Sequence, residues 1–284
     1  MTRLVSPSNR ATAGQIDPFV KWVGGKRRLL PEIEKLVPSC FGNYFEPFLG
    51  GGALFFHLAS TGRLAGRSIL RDTNRELIDT YQAVREHPEE IIARLWAHAS
   101  CHGSPHFRVV RELLQEPSFQ ELDPIERAAH FIYLTNASYW SAWTTTKKGA
   151  FRGSFSGADS LKILDPENLR SAAVCLRVAE LGTGDFREIA EAPGPGDLVY
   201  LDPPYLTQAA EEVVGYTAPR FCREDQDDVV HLFQELAGKG THVILSNSCE
   251  SDVQEQLKDF VVRKVWRDRR SPEVLIASTS STSL

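Results

Sequence analysis

The stretch that most constrains this chain runs from Asp197 to Tyr205 and reads Asp-Leu-Val-Tyr-Leu-Asp-Pro-Pro-Tyr. Its first five residues are mainly apolar, β-branched or aromatic, which predicts a buried strand. Pro203 and Pro204 remove two backbone donors and fix two φ angles, so the strand must stop there. Open α/β sheets bind ligands at such strand ends, and Asp202 with Tyr205 is suited to an amino group and a flat ring. A plain Asp-Pro turn is the alternative, although turn chemistry needs no aromatic residue there.

A second predicted strand end carries three glycines. Tyr44 to Glu46 is predicted to be a strand, Gly50 to Gly52 a loop, and Ala53 to Ser60 a helix. This order is typical of the first turn of a Rossmann-like unit, although the spacing is not GxGxxG. Asp72 ends the next predicted strand, where such units hold a ribose diol. An N-cap of the following helix is the purely structural role for Asp72, and the two roles are compatible.

Residues 75 to 179 lack the alternating strand pattern and are predicted to be a helical insertion. Within it, residues 136 to 155 mix aromatic, hydroxyl and cationic side chains in a predicted loop. That mixture suits stacking on bases and contacts with phosphates, and a packed loop with a solvated basic edge is the alternative. Cys101, His102 and His106 lack further ligands at matched spacing, so no metal site is predicted. The candidate DNA contacts are Tyr139, Trp140, Trp143, Lys147, Lys148 and Arg152.

Composition removes several classes of protein. The 284 residues contain no apolar run of membrane-spanning length, and residues 1 to 17 read as a flexible leader without a secretion signal. Five scattered cysteines fit free thiols in a reducing compartment better than a disulfide framework. The net charge of -5 argues only weakly against a nucleic-acid partner, because phosphate binding depends on a local basic face. The arginines at 267, 269 and 270 add a second candidate basic loop.

Four motifs, in this order, resemble those of the Dam-type (D12 class, alpha group) DNA adenine-N6 methyltransferases. They are Lys21 to Lys26, Glu46 to Gly52, Gly184 to Phe186, and Asp202 to Tyr205. The resemblance covers residues 18 to 278. It implies an α/β fold, with a Rossmann-like seven-stranded methyltransferase sheet and an inserted helical target-recognition domain. The catalytic domain would comprise residues 18–74 and 180–284, and the recognition insertion residues 75–179.

The resemblance implies S-adenosyl-L-methionine as cofactor. Gly50 and Gly52 would line its methionine part, Asp72 would hold the ribose, and Asp185 with Phe186 would read its adenine. The implied cofactor contacts are Trp22, Lys26, Pro47, Phe48, Gly50, Gly52, Asp72, Asp185, Phe186 and Asp202.

The implied catalytic residues are Asp202, Pro203, Pro204 and Tyr205. An adenine amine is a poor nucleophile, so Asp202 and the Pro203 carbonyl would accept its two hydrogens while Tyr205 stacks on the ring. The amine is unreachable inside a duplex, so the base must be flipped out of double-stranded DNA. This chemistry needs no metal and no membrane. We expect a monomer or weak dimer in the bacterial cytoplasm or nucleoid, or a phage-encoded enzyme.

Alternatives remain for the substrate. Dam members carry a guanine-reading arginine in the recognition loop, whereas Ala142 to Thr145 contains none, so Lys147, Lys148 and Arg152 are candidate substitute readers. Cytosine-N4, RNA and protein-amide enzymes of this kind usually carry Ser or Asn where Asp202 stands, which favours adenine. A catalytically silent DNA-binding relative is disfavoured because the motifs are intact. A restriction companion, a regulator and a phage protein are all open biological roles.

Overall fold

The computed structural model describes residues 15–139, 151, 153–157, 163–206, 221–249, 252–268 and 271–278. A seven-stranded sheet lies at its centre, in the order β3-β2-β1-β4-β5-β7-β6. The strands are β1 Tyr44–Glu46, β2 Ser68–Asp72, β3 Ala179–Thr183, β4 Leu198–Leu201, β5 His242–Ser248, β6 Val261–Asp268 and β7 Ser271–Ala277.

The first five strands of the sheet run parallel, and β7 is inserted antiparallel between β5 and β6. β4 is buried along its whole length, as its continuous apolar sequence predicts for a central parallel strand. The predicted seven-stranded α/β architecture is therefore confirmed.

Helices cover the sheet and form most of the segment between β2 and β3. They are α1 Leu30–Glu34, α2 Ala53–Ser60, α3 Arg75–Glu86, α4 Pro88–Ser100, α5 Ser104–Leu113, α6 Pro124–Ala137, α7 Pro166–Leu176, α8 Arg223–Gly238 and α9 Val253–Gln256. Short 3₁₀ turns span Arg27–Leu29, Pro117–Glu121 and Phe186–Ile189. Several helices begin with proline in the first turn, where the missing N–H is not needed. None of the described helices is long and apolar enough to cross a bilayer.

The N-cap of α3 is Asn74, so the capping role considered for Asp72 is wrong. The Asn74 side chain accepts from the Leu77 backbone N–H at 3.1 Å. Asp72 lies two residues earlier, still on β2. Its carboxylate accepts instead from the backbone N–H groups of Gly50, at 3.0 Å, and Asn74, at 2.9 Å.

The sheet separates two hydrophobic clusters, because successive strand residues point to opposite faces. On one face, Tyr44 of β1 and Tyr200 of β4 pack in the same cluster as Phe131 and Leu134 of α6. On the other face, Val199 packs against α8. The described helices between β2 and β3 therefore share a continuous core with the sheet.

Candidate active site

The carboxyl ends of four adjacent parallel strands meet at one edge of the sheet. From β3 across to β4, they bring Asp185, Asp72, the glycine loop and Asp202 to this edge. β7 runs in the opposite direction, so its first residues lie beside the last residues of β5. This pairing places Glu273 opposite Ser248, at the same edge.

The buried side chain of Lys26 forms an ion pair with the carboxylate of Asp202. The Nζ atom of Lys26 is 2.8 Å from Asp202 Oδ1, and the Lys26 side chain is 4% exposed. Nζ also donates to the carbonyl oxygen of Gly24 at 2.6 Å. The turn that bears Lys26 depends on Gly24, whose φ of +78° is unfavourable for other residues. Lys26 was predicted to contact a cofactor, and the structure places its ammonium on the predicted catalytic carboxylate.

Glu273 completes this group, and the sequence interpretation gave it no role. Its side chain is 3% exposed, and its Oε2 atom lies 3.7 Å from Lys26 Nζ. The Tyr205 hydroxyl donates to Glu273 Oε2 at 2.7 Å and more weakly to Asp202 Oδ1 at 3.3 Å. Lys26 Nζ also lies 4.9 Å from the centroid of the Tyr205 ring. We call Lys26, Asp202, Tyr205 and Glu273 the carboxylate cluster.

Burial raises the pKa of two members of the carboxylate cluster, Asp202 and Tyr205. It raises the pKa of Asp202 above its ordinary value, an effect that Lys26 opposes and the negative charge of Glu273 reinforces. Burial raises the pKa of Tyr205 well above its usual range, and both carboxylates add to that rise. Tyr205 is therefore a hydroxyl donor at all ordinary pH values. Pro203 is buried beside the cluster and Pro204 is half-buried.

Glu46 is the last residue of β1 and is fully buried close to Asp202. No role was predicted for this residue from the sequence. The Tyr44 hydroxyl donates to its Oε2 atom at 2.8 Å. Burial raises the pKa of Glu46 to about 8, and the nearby Asp202 adds to the rise. A carboxyl group of this kind holds its proton at neutral pH.

The glycine loop is held from several sides. Gly50 has a φ of +48°, its N–H donates to Asp72, and its carbonyl accepts from the Tyr81 hydroxyl at 3.1 Å. A Cβ atom at Gly50 would lie 2.8 Å from Cδ1 of Trp22, so the indole packs directly on this backbone. Gly52 has a φ of +64° and begins α2. The predicted Trp22, Gly50, Gly52 and Asp72 therefore come together.

An aromatic wall adjoins the loop. The Phe48 ring stacks on Phe186 with 5.1 Å between centroids and meets Phe221 edge-on at 6.4 Å. Phe48 is half-buried, whereas Phe186 and Pro47 are buried. The wall offers a flat apolar surface at the ends of β1 and β3.

Asp185 is engaged by its own turn. Its Oδ1 atom accepts from the Arg187 backbone N–H at 2.9 Å, and its carboxylate forms an ion pair with the Arg187 guanidinium at 3.0 Å. Glu188 accepts from the Asp185 N–H in return, which forms a capping box. Arg187 also pairs with Asp225 at 2.6 Å. Any ligand group that binds Asp185 must share the carboxylate with Arg187.

Of the predicted DNA contacts, the structure describes Tyr139. Its side chain is 55% exposed, and its backbone N–H donates to the Ser154 carbonyl at 2.8 Å. Trp140, Trp143, Lys147, Lys148 and Arg152 lie outside the described residues, as do Arg269 and Arg270. α6 runs to Ala137, so the first two residues of the predicted loop are helical. Asn136 is buried there and accepts from the Lys21 backbone N–H at 3.0 Å.

The histidines of the insertion pack with one another. His98 stacks on Tyr133 with centroids 4.6 Å apart, and its Nδ1 atom is 2.8 Å from His106 Nε2. His102 Nδ1 lies 3.3 Å from the Tyr133 hydroxyl. Burial lowers the pKa of His98 to about 3, and nearby His130 and His106 contribute. In the described part of the chain, no group of three His, Cys, Asp or Glu side chains is arranged to hold a metal.

Comparison with known proteins identifies relatives along almost the whole chain. The family model for D12 class N6 adenine-specific DNA methyltransferases matches residues 22–271. A type II methyltransferase of Lactococcus lactis subsp. cremoris, M1.LlaDCHI, is 33% identical over 255 residues, or 89% of this chain and 88% of that protein. The type II methyltransferase M.MjaIII of Methanocaldococcus jannaschii is 29% identical over 90% of this chain and 92% of its own length. The DNA adenine methylase of Escherichia coli K12 is 26% identical over 93% and 89%.

Proposed function

Because the chain belongs to the family of D12 class N6 adenine-specific DNA methyltransferases, we propose that it methylates an adenine flipped out of double-stranded DNA, with S-adenosyl-L-methionine as donor. Methyl transfer to the N6 amine of DNA adenine is the activity of that family. The observation that carries the assignment of roles is the position of Asp202. It ends a buried parallel strand, with a buried lysine on one of its two oxygens.

The residues around the glycine loop fit the proposed donor. Gly50 and Gly52 have positive φ angles that give the loop its tight turn, and the half-buried Phe48 ring offers a face for an adenine. The Asp72 carboxylate accepts from the backbone N–H groups of Gly50, Thr73 and Asn74, and its two oxygens have further lone pairs for a ribose diol. When bound, the donor supplies an electrophilic methyl group on a positively charged sulfonium.

Asp202 and Pro203 would act on the target amine. The contacts of Lys26 and Tyr205 with the Asp202 carboxylate both end on Oδ1. We assign Oδ2 and the Pro203 carbonyl as acceptors for the two amine hydrogens, which localises the nitrogen lone pair for attack. Lys26 lies against one face of the Tyr205 ring, so the flipped purine would stack on the opposite face.

The helical segment 75–179 is the proposed target-recognition part, and residues 136–155 would contact bases and phosphates. Lys147, Lys148 and Arg152 would take the place of a guanine-reading arginine. We further propose a restriction–modification role, which the type II names of two relatives support. The site of action would be bacterial or phage DNA in the cytoplasm or nucleoid, with the enzyme a monomer or weak dimer.

The test replaces Asp202 with the isosteric asparagine. Purified protein is incubated with plasmid DNA and labelled donor, and the digested nucleosides are separated to identify the modified base. We expect wild type to yield N6-methyladenine and Asp202→Asn to lose activity by about 10²-fold or more, with donor affinity by calorimetry largely kept. The matched control is Asp259→Asn, on an exposed aspartate far along the chain from the motifs.

Three outcomes contradict parts of this function. Label in cytosine, RNA or protein in place of adenine would overturn the acceptor. Full activity in Asp202→Asn would remove the proposed role of that carboxylate. A wild-type protein that binds DNA but transfers no methyl group to any acceptor would be the silent DNA-binding relative.

A further inference from the structure

We propose that Glu273 is a positioning residue for methyl transfer: it holds the Tyr205 hydroxyl in place and shares the Lys26 ammonium, so that Asp202 retains negative charge toward the target amine. The inference rests on the proposed function, because it concerns the same site. Glu273 lies outside the four motifs that predicted that site, 68 residues beyond the tyrosine whose hydroxyl it binds.

The position of Glu273 is unusual for a glutamate. It stands in β7, next to the fully buried run Val274–Ala277, and its side chain is 3% exposed. A carboxylate removed from water costs free energy unless charged or hydrogen-bonding partners replace the solvent. The groups that replace solvent around it include the phenol and the ammonium of the carboxylate cluster. Nothing in the hydrophobic packing of β7 requires a carboxylate at this position.

The Tyr205 hydroxyl donates a shorter hydrogen bond to Glu273 than to Asp202. The hydroxyl is 2.7 Å from Glu273 Oε2 and 3.3 Å from Asp202 Oδ1, so the stronger bond goes to the glutamate. Without Glu273, the hydroxyl would donate fully to Asp202. Pro203 and Pro204 stiffen the backbone between Asp202 and Tyr205. A move of the Tyr205 hydroxyl toward Asp202 would therefore have to move the ring of Tyr205 as well.

The charges of the cluster point to the same role. Two carboxylates share one lysine, so Asp202 is only partly neutralised by its ion pair. A carboxylate that retains negative charge is the stronger acceptor for a weakly acidic amine hydrogen. If Glu273 were neutral, Lys26 would pair with Asp202 alone, and the pair would be more stable but a poorer acceptor.

The experiment separates the charge of Glu273 from its position. Glu273→Gln keeps the size of the side chain and an oxygen that accepts from Tyr205, but it loses the charge. Glu273→Asp keeps the charge but withdraws it by one methylene. Glu180→Gln is the matched control, since that glutamate is exposed and pairs with Arg67 on the surface. Single-turnover methylation is measured from pH 5 to 9 with saturating S-adenosyl-L-methionine and DNA, together with the melting temperature.

We expect Glu273→Gln to slow methyl transfer about tenfold and to shift the acidic limb of the rate profile to lower pH, by about half a unit or more. The direction follows because the charge of Glu273 raises the pKa of Asp202. Its melting temperature should equal or exceed that of the wild type. Glu273→Asp should be slower with an unmoved acidic limb. A side chain that served only packing would lower rate and melting temperature together and leave the limb in place.

Wild-type rates and an unmoved limb in Glu273→Gln would overturn the inference. So would a rate loss that merely follows a lowered melting temperature in both variants. These failures are distinguishable from failure of the proposed function by including Asp202→Asn in the same series. If Asp202→Asn is inactive and Glu273→Gln behaves as wild type, only the positioning role is wrong.

Discussion

Glu46 should make the folded protein lose stability as pH rises. Its pKa is about 8 in the folded state against 4.5 for an ordinary glutamate, because burial disfavours the charged form. A group with a raised folded pKa gives stability that is complete below its unfolded pKa and is lost as pH rises through its folded pKa. Each pH unit between the two values corresponds to about 1.4 kcal/mol. The loss across this window is therefore on the order of 5 kcal/mol.

Glu46→Gln should abolish most of that loss. The amide has nearly the shape of the protonated carboxyl, and its oxygen can still accept the hydrogen bond from Tyr44. Free energies of unfolding are measured with urea at unit steps from pH 5 to 9, for wild type, Glu46→Gln and the exposed control Glu180→Gln.

The expected readout is the difference in unfolding free energy between variant and wild type. For Glu46→Gln it should rise with pH by about 1 kcal/mol per unit, so that the variant is the more stable protein at pH 9. For Glu180→Gln, whose folded pKa is lowered by Arg67, no such rise is expected. A constant difference for Glu46→Gln across the range would refute the claim that this carboxyl is protonated in the fold.

Three further perturbations test other parts of the structure. Gly50→Ala places a methyl group 2.8 Å from an indole carbon of Trp22, at a residue whose φ is +48°. Donor affinity measured by calorimetry should therefore fall about tenfold. The control Gly238→Ala, which adds its methyl group in open space, should leave the affinity unchanged. His98→Gln should reduce the stability lost between pH 6.5 and 4, because burial lowers the His98 pKa to about 3 and the folded state favours its neutral form. If the unfolding free energies from urea titrations of variant and wild type fall by the same amount over this range, the prediction is contradicted. Replacing Lys147 and Lys148 together with glutamine should reduce the slope of log affinity for DNA against log salt by about 2, and an unchanged slope would exclude both as phosphate contacts.

The parts of the site that could be predicted are those whose signals are local. The apolar run before Asp202 predicts the strand, and the two prolines after Asp202 predict where it ends. A few consecutive residues are therefore enough to locate this strand and its end. The glycine loop after β1 is similarly explicit, because Gly50 and Gly52 take up left-handed conformations that few other residues tolerate. The seven-stranded α/β sheet follows from such strand and helix signals taken together with the resemblance.

The residues after Asp185 carry a local signal that the ligand-binding interpretation of this aspartate does not use. Glu188 stands three residues after Asp185, which is the spacing of a capping box before a short helix. That spacing predicts that the Asp185 carboxylate first serves its own turn. Arg187, two residues on, could also have been recognised as a partner for the same carboxylate. A role for Asp185 in binding a ligand must therefore be compatible with both local contacts.

The carboxylate cluster could not be predicted, because its members come from distant parts of the chain and are joined only by strand order. Lys26 precedes β1, Asp202 follows β4, and Glu273 begins β7. A parallel strand brings its last residues to the ligand-binding edge of the sheet, whereas an antiparallel strand brings its first. Glu273 reaches Tyr205 because β7 is the antiparallel neighbour of β5, and reversing that one pairing would move its carboxylate to the opposite edge. The sequence nonetheless indicates that Glu273 has a special role, because a charged residue in an apolar strand requires a partner of opposite charge or a strong hydrogen-bond donor.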